Sequence, residues 1–278
     1  MRIHPVISQR IIVTGLWIMT GLTVGALLFV IGFILWRGLP HVTWAFLTQS
    51  PTDMGKGGGV FPLVVGTLLV AGLAVVVAGP IGVATAVYLT EYTRETQVTR
   101  VIRFGADCLA GIPSIIYGLF GCVFFVEILG MGYSVLAGSL TLAIMVLPTI
   151  IRTSEEAIRA VPKSYREVSY GLGSTRWQMV TRVVLRSALP GIATGIVLSI
   201  GRSVSETAAV MLTAGYGMNL PTSLLDSVRT LALHFYQLAK EGISMEKAYA
   251  TAALLIISIL LINTIAYWSM RRFVAKVR

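Results

Sequence analysis

The most unusual chemical feature of the sequence is a pair of charged residues inside a long apolar run. The run extends from Ser187 to Leu225, and Arg202 and Glu206 are its only charged members. An arginine within a membrane-spanning segment costs at least about 2.5 kcal/mol even on the lenient insertion scale, so it should face a partner or a wet pathway rather than lipid. A guanidinium can donate two parallel hydrogen bonds to a tetrahedral oxyanion. The pattern therefore predicts a position that attracts an anion.

Two interpretations of this pair remain open. Glu206 is four residues beyond Arg202 and is its nearest candidate partner, although Arg preceding Glu is the weaker orientation for such a helical pair. The pair could fix helix packing alone, or Glu206 could limit how tightly Arg202 holds an anion. Ser203 and Thr207 add hydroxyl groups, which in membrane helices also serve packing or bond back to the helix. The candidate anion pathway thus comprises Arg202, Glu206, Ser203 and Thr207.

Motifs for other chemistry are missing from the sequence. The segment Lys56-Gly57-Gly58-Gly59 has the composition of a phosphate-binding loop but the wrong order of residues. No His-x-x-x-His, Cys-x-x-Cys or Gly-x-Ser-x-Gly motif occurs, and the two cysteines, Cys108 and Cys122, fall in one apolar run that predicts core packing. The sequence therefore predicts no catalytic residue, no metal site, no cofactor and no direct ATP binding.

The composition indicates that these residues belong to a membrane protein. The 278 residues are 55% hydrophobic and only 12% charged, with a mean hydropathy of +0.82, whereas about a quarter of the residues of a soluble domain carry charge. About 20 apolar residues are needed to cross a bilayer. Six runs qualify. Four of them contain no charge and lie between Arg10 and Arg37, Lys56 and Glu91, Glu127 and Arg152, and Lys247 and Arg271. The other two run from Phe104 to Val126 and from Ser187 to Leu225. The predicted fold class is an all-α integral membrane protein with six transmembrane helices.

The basic residues predict the orientation of these helices. With the amino terminus inside, 16 of the 22 Lys and Arg lie in cytoplasmic segments and 5 in outer segments, as the positive-inside rule requires. Both termini are therefore predicted to be cytoplasmic. This distribution also accounts for the net charge of +10 without nucleic acid.

The segments between the spans carry further expectations. We expect residues 1–61 to form an amino-terminal anchor helix followed by an outer loop. Residues 62–278 are expected to form the core of the protein. We expect the run 104–126 to be one helix with Asp107 in its first turn, and the amphipathic stretch 223–238 to lie on the outer interface. Proline could kink three spans, at Pro80, Pro113 and Pro148.

The longest cytoplasmic loop, 152–187, is patterned as helices rather than as a tether. The Val161-Pro162 pair should end one helix. Ser164 can cap the next, with Glu167 completing a capping box. Gly171 and Gly173 should then break that helix before Thr175 starts another.

This loop carries a family resemblance. The segment Tyr165-Arg166-Glu167-Val168-Ser169-Tyr170-Gly171-Leu172-Gly173, with Leu189-Pro190 downstream, resembles the Glu-Ala-Ala signature of ABC importer permeases. Here Val168-Ser169 replace the two alanines, and Arg186 stands where proline is usual. In that family the segment forms a coupling helix that docks on a separate ATPase. The resemblance implies such a role for Ser164, Tyr165, Arg166, Glu167, Gly171 and Gly173.

Other stretches resemble the phosphate-specific, PstA-type branch of these permeases. They are 58–68, 80–92, 111–118 and 201–208, the last of which reads Gly-Arg-Ser-Val-Ser-Glu-Thr-Ala. The resemblance implies import of inorganic phosphate across the cytoplasmic membrane. It also implies a PstC-type permease partner, two ATPase subunits and an extracytoplasmic phosphate-binding protein.

Two other functions stay open at this level. One arginine does not define the anion, so sulfate, molybdate or tungstate could be the substrate of the same kind of permease. A scaffold or sensor subunit that transports nothing is the alternative from another class. A scaffold needs no buried charge in a span, so Arg202 favours transport.

Overall fold

The computed structural model describes residues 5–94 and 96–277, and nearly all of their regular structure is helical. The helices are α1 (Pro5–Gly38), α2 (Trp44–Thr48), α3 (Phe61–Val87), α4 (Gln97–Ala110), α5 (Ser114–Gly121), α6 (Val135–Arg159), α7 (Lys163–Gly171), α8 (Arg176–Met179), α9 (Leu185–Val204), α10 (Ala208–Met211), α11 (Leu231–Lys240) and α12 (Met245–Val277). Wider π-helical turns extend α3 over Tyr88–Tyr92 and α5 over Cys122–Ile128, and join α8 to α9 over Val180–Val184. Two short strands, β1 (Pro51–Thr52) and β2 (Gly57–Gly58), pair antiparallel.

Five helical stretches are long and apolar enough to cross a membrane. They are Ile12–His41, Phe61–Tyr92, Val135–Arg159, Arg176–Val204 and Met245–Ser269. The pair Gln97–Ala110 and Ser114–Ile128 makes a sixth span if the two are counted together. The all-α membrane fold class is therefore confirmed. Residues 1–4 and 278, which belong to the flanks predicted to be cytoplasmic, lie outside the described residues.

The third span is bent rather than straight. Its two halves, α4 and α5, meet at 101°. Gly111 caps the end of α4 and Pro113 precedes the first residue of α5; proline has no N–H for a continuing helix and biases the residue before it away from helical geometry. The prediction of one helix over 104–126 is therefore wrong, whereas the kink expected at Pro113 is confirmed. By contrast, α3 and α6 continue through Pro80 and Pro148.

Asp107 has a different role from the predicted one. It lies near the carboxyl end of α4, not in the first turn of a span, and it forms an ion pair with Arg152 of α6. A carboxylate at that end of a helix is unfavourable for the helix dipole. The arginine compensates this charge and ties α4 to α6.

The centre of the bundle is formed by α3, α6 and α9. Gly82 of α3 lies against Ile150 of α6, and Gly195 of α9 lies against Thr153 of α6, so closely that a Cβ at either glycine would clash. Small residues at such contacts let membrane helices approach each other. The packing therefore fixes where the two ends of α9 lie relative to the rest of the bundle.

The first and last spans form a peripheral layer. Helix α12 packs against α9 and α11, and it is the main neighbour of α1. Gly38, at the end of α1, rests on the backbone of Tyr249 and on Ala253. The remaining surface of α1 is apolar and exposed, with Trp17 and Phe29 both about three-quarters accessible, as a lipid-facing helix requires.

A cap formed by the β1–β2 hairpin and α11 closes the end of the bundle opposite α7. His234 of α11 is buried beneath Gly55, and its Nδ1 lies 3.4 Å from Nη1 of Arg229. Leu231, Leu233 and Leu238 of the same helix are also buried. The prediction that the stretch 223–238 lies on the outer interface is therefore wrong. An amphipathic pattern shows that one face is covered, but not whether lipid or protein covers it.

The buried histidine predicts a pH-dependent stability. Burial, and then the charge of Arg229, lower the pKa of His234 from 6.5 to about 4. The folded protein thus keeps the ring neutral at a pH at which the unfolded chain protonates it, so stability present above pH 6.5 should fall by up to about 3 kcal/mol as the pH drops toward 4. We expect the thermal unfolding midpoint of His234→Gln to fall less over this range than that of the parent. His41→Gln, at an exposed histidine, should follow the parent, and equal profiles for all three proteins would contradict the assignment.

Candidate functional site

Arg202 lies in the last turn of α9, directly before the helix breaks. The helix ends at Val204, with Ser205 as its carboxyl cap. The side chain of Arg202 is exposed, and no carboxylate lies within ion-pair distance of it among residues 5–94 and 96–277. An exposed guanidinium without a paired carboxylate is available to bind an anion.

Glu206 does not pair with Arg202, contrary to expectation. Its Oε1 accepts backbone N–H groups from Thr207 (3.2 Å), Ala208 (3.1 Å) and Ala209 (3.4 Å). These are donors at the start of α10, which would otherwise lack partners. The prediction assumed one continuous helix, in which residues four apart are neighbours. The break at Ser205 turns the carboxylate toward α10 instead.

The two hydroxyl residues of the candidate pathway differ in how deeply they are buried. Ser203 is buried, and its Oγ has no hydrogen-bond partner in the described structure. Thr207 is half-buried at the start of α10. The four predicted pathway residues are therefore gathered at one helix break.

The segment after this break packs against α5, the second half of the bent third span. Gly118 of α5 lies against the backbone of Ala208 and Ala209 in α10, where a Cβ would sit 2.9 Å from the Cα of Ala209. The segment that follows the break in α9 is thus packed against α5, whereas Gly111 and Pro113 at the bend of the third span are exposed. Non-helical backbone at membrane depth is tolerated where it is buried in protein or lines a wet cavity.

At the opposite end of the bundle, α7 forms a projecting knob. Its exposed apolar side chains include Tyr165, Val168 and Leu172, the last of these 83% accessible. Ser164 and Glu167 are exposed as well. Such a surface on a short helix outside the spans suits docking to another protein.

The two glycines end α7 as predicted, but its start differs from the prediction. The helix ends at Gly171, and Gly173 adopts a φ of +79°, which glycine tolerates best. Pro162 precedes the helix, and Ser164 lies inside its first turn without a capping bond. The predicted capping box at Ser164 and Glu167 is therefore wrong. A capping box does form at the start of α8, between Thr175 and Gln178.

Arg166 points into the protein rather than outward with the rest of the knob. Its Nη2 lies 2.6 Å from Oε1 of Glu91 and its Nε 3.1 Å from the same oxygen. The same guanidinium donates to the carbonyl oxygens of Ile158 and Val161. Arg166 thus joins the knob, the end of α6 and the π-helical end of α3.

Glu91 is the important residue that sequence reasoning missed. It is buried, with 6% of its surface exposed, and a buried carboxylate needs a charged partner. Glu91 stands at the end of an apolar run and therefore marks the boundary of a span. A charged residue at such a boundary is ordinarily expected to be exposed to solvent. Nothing local in the sequence connects it to Arg166, which is 75 residues away.

A second carboxylate strengthens this end of the bundle. Glu155 of α6 lies 2.8 Å from Arg103 of α4 and 2.7 Å from Arg159. Its side chain is only 8% exposed. Together with Asp107 and Arg152, these contacts make α4 and α6 one unit.

Comparisons with known proteins agree with this architecture. Residues 78–278 match the family model described as the binding-protein-dependent transport system inner membrane component. The chain is 38% identical to the phosphate transport system permease protein PstA 1 of Mycobacterium tuberculosis, covering 88% of this chain and 82% of that one. It is 31% identical to the probable ABC transporter permease protein YqgI of Bacillus subtilis, covering 92% of both.

Solved structures share the fold. A chain of the inward-facing MetNI methionine ABC transporter superposes with a TM-score of 0.62 at 22% identity, covering 77% of this chain and 93% of that one. A chain of a bacterial alginate ABC transporter, in complex with an alginate-bound periplasmic protein, gives 0.65 at 17% identity, covering 97% and 95%. At these identities the likeness concerns the fold alone.

The ion pair between Glu91 and Arg166 gives a testable prediction. Glu91→Gln removes the charge that holds Arg166, and leaving one member of a buried pair alone destabilises its surroundings. We expect amide hydrogen exchange in residues 163–171 to become at least about tenfold faster, equivalent to about 1.4 kcal/mol. Exchange in the centre of α6 should be unchanged.

The matched control for this experiment is Arg94→Gln. It removes an exposed charge from the same end of the bundle and should leave the exchange of α7 as it is in the parent. Unchanged exchange in Glu91→Gln would mean that the pair does not hold the knob.

Proposed function

The chain belongs to the family of inner membrane components of binding-protein-dependent transport systems, and on this premise we propose that it conducts inorganic phosphate. It is the permease subunit of an ATP-driven importer, resembling the PstA type. The observation that carries the substrate assignment is Arg202, a guanidinium exposed at a helix break in a span with no paired carboxylate among the described residues. The relatives named as phosphate transport permeases support the same substrate.

Arg202 supplies the attraction for the anion. Its planar fork can donate two hydrogen bonds to phosphate oxygens, and its charge lowers the cost of moving an anion out of water. Because Glu206 accepts three backbone N–H groups of α10, it leaves Arg202 free of a tight ion pair. Ser203 has a buried hydroxyl without a partner in the described structure, and Thr207 lies beside it at the break.

Glu206 shapes this site indirectly. By holding the start of α10, it fixes the position at which α9 ends and therefore the position of Arg202. Its negative charge also limits how firmly an anion is retained nearby. A pathway requires attraction that is weak enough to allow release.

The knob provides the connection to ATP hydrolysis. Its exposed residues, Ser164, Tyr165 and Glu167, would dock on a separate ATPase subunit, while Gly171 and Gly173 set the turn behind them. Arg166 would pass the movement of α7 to α3 through Glu91. The working assembly contains a homologous permease of the PstC type, two ATPase subunits and an extracytoplasmic phosphate-binding protein.

The orientation follows from the same assignment. The knob lies in the cytoplasm, both termini lie on that side, and the cap with the β1–β2 hairpin lies outside. The domain division into an anchor with its loop, 1–61, and a core, 62–278, is part of this proposal. Helix α1 supports it, because α1 packs mainly on α12 and not on the central helices.

The anion site is tested by substitution of Arg202 in the assembled transporter. Arg202→Gln keeps hydrogen-bonding capacity but removes the charge, so ATP-dependent phosphate uptake into proteoliposomes should fall by about tenfold or more. Arg202→Lys should restore part of the uptake, since an ammonium is a point charge without the planar fork. Competition with sulfate, molybdate and tungstate in the parent complex identifies the preferred oxyanion.

Two comparisons separate transport from a structural role. Arg202→Gln combined with Glu206→Gln should remain as inactive as the single variant, whereas recovery would mean that Arg202 merely neutralises Glu206. Copurification with the partner subunits is the control for assembly. Normal phosphate uptake by an assembled Arg202→Gln complex would overturn the site assignment.

The orientation is tested by thiol labelling. After Cys108 and Cys122 are replaced by serine, a cysteine at Trp44, which is 80% exposed, should react with an impermeant reagent added outside intact cells. A cysteine at the exposed Leu172 should react only after permeabilisation. Labelling of the two positions in the reverse pattern would contradict the orientation.

A further inference from the structure

A cavity of about 520 Å³ lies at the knob end of α9, between the end of α6, α7 and the start of α9. Two arginines, Arg182 and Arg186, line it together with Tyr165, Ser187 and Pro190. Both arginine side chains are exposed. The cavity is open to its surroundings and large enough for a small hydrated anion.

The two arginines lack the carboxylates that hold their neighbours. At this end of the bundle, Arg152, Arg159 and Arg166 each form an ion pair with a carboxylate. No acidic side chain lies within ion-pair distance of Arg182 or Arg186 in the described part of the chain. The cavity therefore has an excess of positive charge that the protein itself does not neutralise.

A row of exposed residues on α9 connects this cavity to Arg202. Between the two, the exposed residues Pro190, Thr194 and Leu198 recur at four-residue intervals, while Ala193 and Val197 are buried against the bundle. Each four-residue step turns about 40° beyond a full turn, so this row winds by about 160° around α9 between Arg186 and Arg202. Sixteen residues at 1.5 Å rise put Arg186 about 24 Å along the helix from Arg202.

A row of exposed residues with an arginine at each end is poorly suited to lipid. The proposed function makes Arg202 part of the anion pathway, and the exposed stripe on α9 then lines that pathway toward the knob. Charged residues in a span face a wet cavity or the interior of an assembly. The cavity of Arg182 and Arg186 is where this stripe reaches the cytoplasmic end.

We propose that Arg182 and Arg186 form a second oxyanion site, at the inner end of the pathway, which binds the transported phosphate before its release. The inference rests on the proposed function, because it takes phosphate as the substrate and the knob end as cytoplasmic. Two guanidinium groups one turn apart can surround a tetrahedral oxyanion, and Tyr165 lines the same cavity. The exposure of both arginines keeps the site accessible, so that the anion can leave into the cytoplasm.

The phosphate group of an anionic phospholipid has the same recognition chemistry. Arginines near the inner end of a span commonly reach lipid headgroups. The experiment therefore has to separate a free phosphate ion from a headgroup.

The site is tested by protection of a cysteine. Ser187→Cys, in the background without Cys108 and Cys122, reports on the cavity in the complete transporter reconstituted into phosphatidylcholine nanodiscs. We expect inorganic phosphate to slow its reaction with a small neutral maleimide at least threefold, relative to chloride at equal ionic strength. Arg182→Gln combined with Arg186→Gln should abolish this protection.

Arg100→Gln is the matched control, since it removes an exposed basic charge outside the cavity. It should keep full protection by phosphate. Reaction rates that phosphate does not alter in the parent would overturn the proposal. Protection by phosphatidylglycerol nanodiscs, with no further effect of phosphate, would assign the site to a lipid headgroup and also overturn it.

Uptake by the Ser187→Cys complex separates this inference from the proposed function. If the complex imports phosphate but phosphate gives no protection, the inner site is wrong and the function stands. If the unsubstituted complex imports no phosphate while its assembled subunits hydrolyse ATP, the substrate assignment itself fails.

Discussion

The constraint on which the candidate site depends is that a helix broken inside a membrane protein must satisfy its free backbone groups. The break after Val204 frees N–H groups at the start of α10, and Glu206 accepts three of them. A carboxylate there also matches the positive end of a helix dipole. Because Glu206 is used in this way, Arg202 has no paired carboxylate among the described residues. The chemistry at Arg202 therefore follows from the backbone requirement of its neighbour.

A different kind of constraint governs the knob end. Carboxylates on α3, α4 and α6 neutralise arginines on other turns and helices, and the pair of Glu91 with Arg166 joins segments that are distant in sequence. Buried pairs of this type contribute little net stability but are costly to break. They favour movement of α7 together with α3 and α6 as one body, which suits the coupling role proposed for α7.

The sequence predicted the spans well, because about 20 uncharged apolar residues in a row leave few other structures open. It also predicted that Gly171 and Gly173 end α7, because the backbone behind the knob requires a glycine conformation. Pro113 was among the prolines expected to kink a span, but the size of its bend was not predicted, since proline does not itself specify an angle. The contacts of Glu206 were missed because they depend on a helix break that the local sequence does not indicate. The ion pair of Glu91 was missed because its partner is distant in sequence.

The dependence of α1 on α12 has a consequence for how the protein is made. Helix α1 ends at Gly38 and α12 begins at Met245, so at translation rates of about 5–20 residues per second roughly 10–40 seconds pass before the principal neighbour of α1 is synthesised. During that interval the face of α1 that packs on α12 has no such partner. The packing of α1 seen in the finished bundle therefore forms late in synthesis.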